Sequence, residues 1–306
     1  MGHPLSTGSR DASVGRVSAA AAAVVFGTAP VATSFQLRSF EPVPAAMWRA
    51  IVGASALIVV AWLRGSRSRR RSLPTRGAFA RLGLLGVLGG PVFLFGLNVA
   101  VSETGASISG IVVGSYAVFA AVVAPFLLGE PLEARAITGL VVALIGTVLL
   151  ASLTVTGTSL LGIGAGLFGA VGYAFYLVLG RKWMDANSLA PQTVALAAAL
   201  TTALVFLPWL SLTAPATIVP DAARADSLIA LGWLAAVMVT GQTLVMMSAR
   251  RIDSRRSASF LLLNPLTAAV LGVLVLGEML TAQQVGGGGL VLIGIALGSG
   301  LSGFRR

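Results

Sequence analysis

The sequence predicts an all-α integral membrane protein whose ten transmembrane helices form two inverted five-helix repeats. Three observations predict it: an apolar composition, regularly spaced uncharged stretches and an internal repeat. Of 306 residues, 56% are apolar and only 10% are charged, whereas a soluble domain carries about 25% charged residues. With a mean hydropathy of +0.92, too few charges remain to cover a water-exposed surface. This composition disfavours a soluble enzyme, a DNA-binding protein and a disordered linker.

The first five predicted helices lie between charges that are about 20 residues apart, the length that crosses about 30 Å of hydrocarbon. They span 17–36, 42–63, 82–102, 105–128 and 134–153. The first could instead be a cleaved signal peptide, but its apolar stretch is long for one, and the repeat needs five helices per half. The second contains Arg49, and the fifth ends at the polar segment SLTVTGTS.

The second five predicted helices have the same length and spacing. They span 159–180, 190–211, 227–249, 257–277 and 281–303. After the seventh helix, the Pro-rich segment PWLSLTAPATIVP predicts an external loop. Ten helices of about 20 residues use about 200 positions, so only short loops and no soluble domain are expected.

The basic residues predict the orientation, because cytoplasmic loops of membrane proteins are enriched in Lys and Arg. If both termini are cytoplasmic, all but three of the 21 Lys and Arg residues lie in cytoplasmic segments; the exceptions are Arg38, Arg49 and Arg224. We therefore expect a multi-pass protein of the inner or plasma membrane. The same clusters explain the net charge of +11 without a nucleic-acid partner.

An internal repeat appears when the chain is shifted by 148 residues. The shift aligns AAVVAPFLLGEPLEA, which starts at Ala120, with AAVLGVLVLGEMLTA, which starts at Ala268. The shared L-G-E-x-L-x-A indicates that the chain consists of two repeats. With the bounds of the predicted helices, the repeats span 17–153 and 159–303, and residues 1–16 before them are expected to form a cytoplasmic tail. Because five helices per half reverse the second half, Glu130 is expected inside and Glu278 outside. Inverted repeats are a recurrent feature of secondary transporters.

These features resemble the EamA family of the drug/metabolite transporter superfamily. The resemblance rests on the ten-helix plan, on MWRA near the start of the second helix, and on LLLNPLTAAVLGVLVLGEMLTAQQ followed by G-x-x-L-x-x-x-G-I. It covers essentially the whole chain. It implies a bacterial inner-membrane exporter of amino acids and related metabolites. One departure concerns the repeat, since Asn264 and Pro265 stand where the first half has Tyr116 and Ala117.

Polar residues inside the predicted helices are the candidate substrate site. Arg49 is the only charge well inside a span, about 10 Å below the external helix end. It either pairs with carbonyls at helix ends or binds a substrate carboxylate. The other candidates are Asn98, Tyr116, Tyr173, Tyr176, Gln242, Asn264 and Pro265, expected to surround a mainly neutral path. Trp48, Phe95, Phe119 and Met246 are expected to supply its apolar walls.

Several chemistries are disfavoured by the residues that the sequence lacks. Cys is absent and the single His lies in the N-terminal tail, so we expect no metal, no cofactor and no enzymatic activity. GAGLFG at 164–169 matches a dinucleotide fingerprint, but it lies in an uncharged run and is typical of close helix packing. Glu130 and Glu278 are expected to interact with loops and helix N-termini. Proton coupling would have to use a helix-end group such as Glu103.

The sequence therefore predicts a secondary transporter that exports small neutral or zwitterionic metabolites by alternating access. Its expected partners are a small-molecule substrate and the lipid bilayer. A multidrug or cation exporter is disfavoured because no carboxylate is embedded in the helices to hold a cation. A non-transporting membrane scaffold is the alternative from a different class of protein.

Overall fold

The structure is a computed structural model that describes residues 5–63, 76–129, 134–151, 159–187, 191–218, 224–249 and 263–298. These residues are almost entirely helical and contain no β-strand. In order, the helices are α1 Leu5–Gly27, α2 Ala29–Gln36, α3 Pro42–Leu63, α4 Arg76–Val87, α5 Phe93–Gly114, α6 Tyr116–Leu128, α7 Ala134–Ala151, α8 Leu160–Asn187, α9 Pro191–Thr213, α10 Ala225–Ala249, α11 Leu263–Leu276 and α12 Ala282–Gly298.

Five helical stretches among the described residues are long and apolar enough to cross a membrane. They are Ser13–Gln36, Pro42–Leu63, Gly77–Leu128, Leu160–Trp183 and Gln192–Thr213. Shorter apolar helices cover Ile137–Gly146, Ala225–Gly241, Leu263–Leu276 and Ala282–Leu297. The prediction of 42–63 is confirmed to the residue by α3, whereas α8 runs to Asn187, past the expected end at 180.

The longest stretch turns at Gly105, which adopts φ 79° and ψ 175° within α5. Leu97 and Val101, before the turn, pack in one apolar cluster with Val113, after it. In a straight helix Val101 and Val113 would be about 18 Å apart. The chain therefore folds back at Gly105, which separates the predicted helices 82–102 and 105–128. Glycine suits this position because it adopts positive φ without steric cost.

The internal repeat is visible in the helix ends. A shift of 148 residues carries α6 from Tyr116–Leu128 onto 264–276, which falls within α11, and carries the first residue of α7 onto the first residue of α12. Each junction has a left-handed glycine, with φ 71° at Gly129 and 68° at Gly277. A left-handed glycine just past the last turn is a common helix end. The shared L-G-E motif therefore stops both helices in the same way.

Helices α7 and α12 also contact each other reciprocally. A methyl group on Gly146 would lie 2.6 Å from the carbonyl oxygen of Gly287, and one on Gly294 would lie 2.5 Å from the carbonyl oxygen of Gly139. The same shift relates Gly146 to Gly294 and Gly139 to Gly287. Such a self-complementary contact is the signature of a two-fold relationship, and the small residues let the two backbones approach closely.

The two ends of the bundle carry different polar contacts. At one end, Arg38 pairs with Asp226 at 2.7 Å. This pairing, chiefly the Arg38 hydrogen bond, lowers the pKa of the partly exposed Asp226 carboxyl. At the end where α4 begins, Lys182 donates to the carbonyl of Leu127 at 2.6 Å. The Arg81 guanidinium there lies 5.8 Å from the Trp183 ring centre.

Candidate functional site

Three of the predicted site residues form an aromatic cluster with Phe93. The Tyr173 ring stacks on Phe93 at 4.3 Å and on Tyr176 at 5.3 Å. It also meets Tyr116 edge-on at 5.0 Å. Offset-stacked and edge-to-face pairs are the favoured arrangements of aromatic rings. The cluster joins α5, α6 and α8, so it lies where the two halves of the chain meet.

A π-helical turn makes room for one ring of this cluster. The turn covers Leu88–Val92, contains Pro91 and connects α4 to α5. Proline cannot supply a helical N–H, and such local widening of a helix often occurs at functional sites. A methyl group on Gly89 would lie 2.5 Å from the Tyr176 ring. The glycine is therefore required for close approach of the backbone to this tyrosine.

Asn264 and Pro265 meet the cluster from α11. The side-chain amide of Asn264 donates to the Tyr116 hydroxyl at 3.4 Å, long compared with the usual 2.9–3.0 Å. Pro265 packs on Gly114, where a methyl group would lie 2.9 Å from the proline Cβ. The two predicted polar side chains at the start of α6 and α11 therefore do face each other.

Arg49 is almost completely buried, with 8% of its surface exposed. Tyr173 of the aromatic cluster is among the ionisable side chains within electrostatic range of Arg49. Its Nη1 has no hydrogen-bond partner among the described residues. This nitrogen therefore does not pair with a helix-end carbonyl, which is one of the two roles expected for Arg49.

Asn98 makes its hydrogen bond away from the tyrosines. Its Nδ2 donates to the carbonyl of Pro42 at 2.8 Å, and its buried Oδ1 has no partner among the described residues. Gln36, which was not among the predicted site residues, makes a similar contact with α3. Its Nε2 donates to the carbonyl of Ala45 at 2.9 Å. The sequence signal that could have pointed to Gln36 is the T-S-F-Q end of the first predicted helix. Thr33 and Gln36 lie three residues apart there, on one face of the helix.

The remaining predicted residues are placed as follows. The backbone of Gln242 belongs to α10, but the side chains of Gln242 and Met246 lie outside the described part of the structure. Trp48 donates from Nε1 to the carbonyl of Ile218 at 2.7 Å, and both it and Phe95 pack against one apolar cluster. Phe119 packs against the cluster that contains Tyr116.

Glu278 caps a helix N-terminus, as expected. Its Oε1 accepts from the N–H of Ala106 at 2.6 Å, and its Oε2 accepts from the N–H of Ser107 at 2.8 Å. These are the first N–H groups after the turn at Gly105, which have no partner within the helix. A carboxylate there also favours the helix dipole. Glu130, its counterpart in the first repeat, lies outside the described residues.

Two of the three glycines of GAGLFG, Gly166 and Gly169, pack helices closely, whereas Gly164 has open space beside it. A methyl group on Gly96 of α5 would lie 2.7 Å from the Cα of Gly169 on α8. One on Gly166 would lie 3.2 Å from the Cβ of Ala100. Helix packing, the interpretation preferred for this motif, is confirmed.

As for metals, no group of three or more His, Cys, Asp or Glu side chains is suitably placed to hold an ion among the residues that the structure describes.

Comparisons with known proteins agree with this architecture. The chain is 24% identical over 278 residues to an uncharacterized transporter of Archaeoglobus fulgidus, covering 88% of this chain and 93% of that protein. A solved crystal structure, described only as that of a protein, is 19% identical with a TM-score of 0.66, covering 96% of this chain and 99% of the other. The profile of the EamA-like transporter family matches twice, over residues 13–152 and 160–300. The chain, a membrane transporter built of two such repeats, therefore belongs to the EamA-like transporter family.

Proposed function

We propose that the protein is a secondary transporter of the plasma membrane that exports small neutral or zwitterionic metabolites, such as amino acids, by alternating access. The observation that carries the proposal is the contact between Tyr116 and Asn264 at 3.4 Å. The two residues are 148 positions apart, which is the repeat offset. A polar contact between equivalent residues lies on the axis that relates the two repeats, where a transporter of this kind holds its substrate.

The reciprocal glycine contacts support an inverted relationship between the two repeats, to which we assign ten spans in all. Gly146 approaches Gly287 and Gly294 approaches Gly139, so the partner number falls as the α7 number rises and the two helices run antiparallel. Equivalent helices that run in opposite directions require an axis in the membrane plane. Exchange of conformation between inverted halves then opens the path to either side. We place both termini in the cytoplasm from the distribution of Lys and Arg.

The chemistry of the cluster supports the substrate class. It offers tyrosine hydroxyls, the Asn264 amide and the Arg49 guanidinium beside aromatic rings, a combination suited to a small polar molecule with an apolar part. The proposed substrate contacts are Arg49, Asn98, Tyr116, Tyr173, Tyr176, Gln242, Asn264 and Pro265. A cationic drug would meet the positive charge of Arg49, which disfavours the multidrug alternative.

The test is transport by the purified protein in liposomes. Radiolabelled amino acids, a carboxylic acid and the cationic dye ethidium are offered against empty liposomes as control. We expect saturable flux of at least one neutral amino acid and none of ethidium. Flux of ethidium alone would favour the multidrug alternative, and absence of any flux from correctly folded protein would favour a scaffold.

A further inference from the structure

Four buried side-chain atoms have no hydrogen-bond partner within the described protein. They are Thr33 Oγ1, Gln36 Oε1, Arg49 Nη1 and Asn98 Oδ1. All four belong to α2, α3 and α5; α2 and α3 each pack on α5, and the Gln36 hydrogen bond to Ala45 joins α2 to α3. A buried polar atom without a partner destabilises the fold, and a charged one does so most. Four such atoms on three adjoining helices indicate a binding site.

Two of these atoms are oriented by the amide groups that carry them. Gln36 donates through Nε2 to the carbonyl of Ala45 at 2.9 Å, and Asn98 donates through Nδ2 to the carbonyl of Pro42 at 2.8 Å. Pro42 and Ala45 are three residues apart and lie on one face of α3. The two amides therefore lie side by side along that face, and their oxygens are the groups left for a ligand.

Their positions along α2 and α3 place the other two atoms near these amides. Thr33 precedes Gln36 by three residues on α2, so their side chains share a face. Arg49 follows Ala45 by four residues and lies on the α3 face where the two amides bind. Because helical side chains point back toward the N-terminus, the Arg49 guanidinium is directed toward the level of Ala45. One cationic donor and three neutral oxygens thus surround the first two turns of α3.

This set of groups selects the charge pattern of its ligand. A guanidinium binds a carboxylate through charge-assisted hydrogen bonds, whereas an ammonium group has three N–H donors and no acceptor. A simple carboxylate would leave the three oxygens without donors. A metal ion or a simple amine would be repelled by Arg49, which has no salt bridge to an acidic side chain among the described residues.

We propose that these four side chains bind the head group of an α-amino acid. The carboxylate binds Arg49, and the ammonium group donates to Thr33 Oγ1, Gln36 Oε1 and Asn98 Oδ1. The inference rests on the proposed function and deepens it, because it assigns each end of the zwitterion to named atoms. Tyr173, which lies within electrostatic range of Arg49 and stacks on Phe93, marks the side toward which the amino-acid side chain extends.

The first test compares ligands on the wild-type protein. The probe is the amino acid that the liposome assay transports fastest, together with its deaminated acid, its decarboxylated amine and its α-hydroxy acid. Dissociation constants are measured on the detergent-purified full chain. We expect the amino acid to bind at least ten-fold more tightly than the other three. Equal binding of the deaminated acid or the amine would overturn the proposal.

The second test uses variants that act on one end of the head group. Arg49→Gln should weaken amino-acid binding at least ten-fold, and Arg49→Lys should restore part of it because the charge remains. Asn98→Asp keeps an oxygen at this position and adds a negative charge, so it should shift preference toward the amine at least ten-fold. Gln283→Leu, at an exposed glutamine of α12, is the control, and thermal unfolding without ligand verifies each fold.

The outcomes separate the two proposals. If wild-type protein transports amino acids but Arg49→Lys and Asn98→Asp leave the ligand preference unchanged, the head-group assignment is wrong and the transport proposal stands. The four buried atoms then bind water only. If no amino acid is bound or transported by correctly folded wild-type protein, the transport proposal fails, and the head-group site fails with it.

Discussion

Tyr116 and Asn264 occupy equivalent positions in the two repeats and contact each other, the Asn264 amide donating to the tyrosine hydroxyl at 3.4 Å. A residue that touches its own counterpart must lie beside the axis that relates the two halves. The pair is not symmetric, since one member is a phenol and the other an amide. The two halves therefore meet through a polar contact that is long enough to break or tighten with a small helix movement.

We expect Tyr116→Phe and Asn264→Leu to reduce transport at least ten-fold. The unfolding midpoint should change little, because an interhelical hydrogen bond in a membrane protein contributes about 0.6 kcal/mol. The Phe variant keeps the ring that packs on Tyr173. Initial transport rates in liposomes and thermal unfolding in detergent measure the two effects. Ser55→Ala is the control, since that exposed hydroxyl bonds only within its own helix. Wild-type rates in both variants would remove the pair from the substrate path.

The reciprocal packing of α7 and α12 predicts matched effects at Gly146 and Gly294. Alanine at either position would place a methyl group against the backbone of the opposite helix. We expect each variant to lower the free energy of unfolding by about 1–3 kcal/mol, the usual cost of overpacking. Gly289→Ala is the control, because no atom lies within 4 Å of a methyl group there. A loss at only one of the two glycines would contradict the two-fold packing.

The cap formed by Glu278 predicts a stability loss that depends on its oxygens. Glu278→Ala leaves the N–H groups of Ala106 and Ser107 without their acceptors. We expect a loss of about 2 kcal/mol, and about half of that for Glu278→Gln, which keeps one oxygen. Thermal unfolding in detergent measures both. The neighbouring Met279, 94% exposed, supplies the control Met279→Ala. Equal midpoints for Glu278→Ala and Met279→Ala would show that the cap contributes nothing.

The absence of cysteine from the sequence allows a clean test of orientation. Met279→Cys should react with a membrane-impermeant maleimide in intact cells, because the α11–α12 junction is expected outside. Gly77→Cys, exposed at the start of α4, should react only after permeabilisation. Reporter fusions should likewise place residues 213–223 outside the cell and residues 66–72, 183–187 and 252–255 in the cytoplasm. The opposite labelling pattern would reverse the topology.

Much of the helical framework could be predicted from the sequence because the bilayer constrains it so strongly. A backbone in hydrocarbon must satisfy its own hydrogen bonds, so a run of about 20 uncharged residues between charges predicts a helix and nearly its ends. This is why the predicted 42–63 coincides with α3. The repeat could also be predicted from the shared L-G-E-x-L-x-A, and in the structure Gly129 and Gly277 stop their helices with the same left-handed conformation.

The partners of the polar side chains could not be predicted, because spacing along one helix does not say which helix lies opposite. Tyr116, Tyr173 and Asn264 were expected to converge, and they do. Asn98 instead holds the start of α3. Gln36 was missed because a single glutamine near a helix end is ordinary in sequence, and only burial against α3 gives its free oxygen significance.

The sequence by itself determined that this chain is a helical membrane protein with a duplicated half, because apolar length, charge distribution and an L-G-E repeat are properties of the chain. Only the tertiary structure decided that α7 and α12 pack reciprocally, that Glu278 caps the turn at Gly105, and that the unpartnered atoms of Thr33, Gln36, Arg49 and Asn98 lie on adjoining helices. The physical reason is that hydrocarbon dictates helices but is indifferent to their arrangement. Which helices meet is decided by close packing of small residues and by the polar groups that must find partners away from lipid.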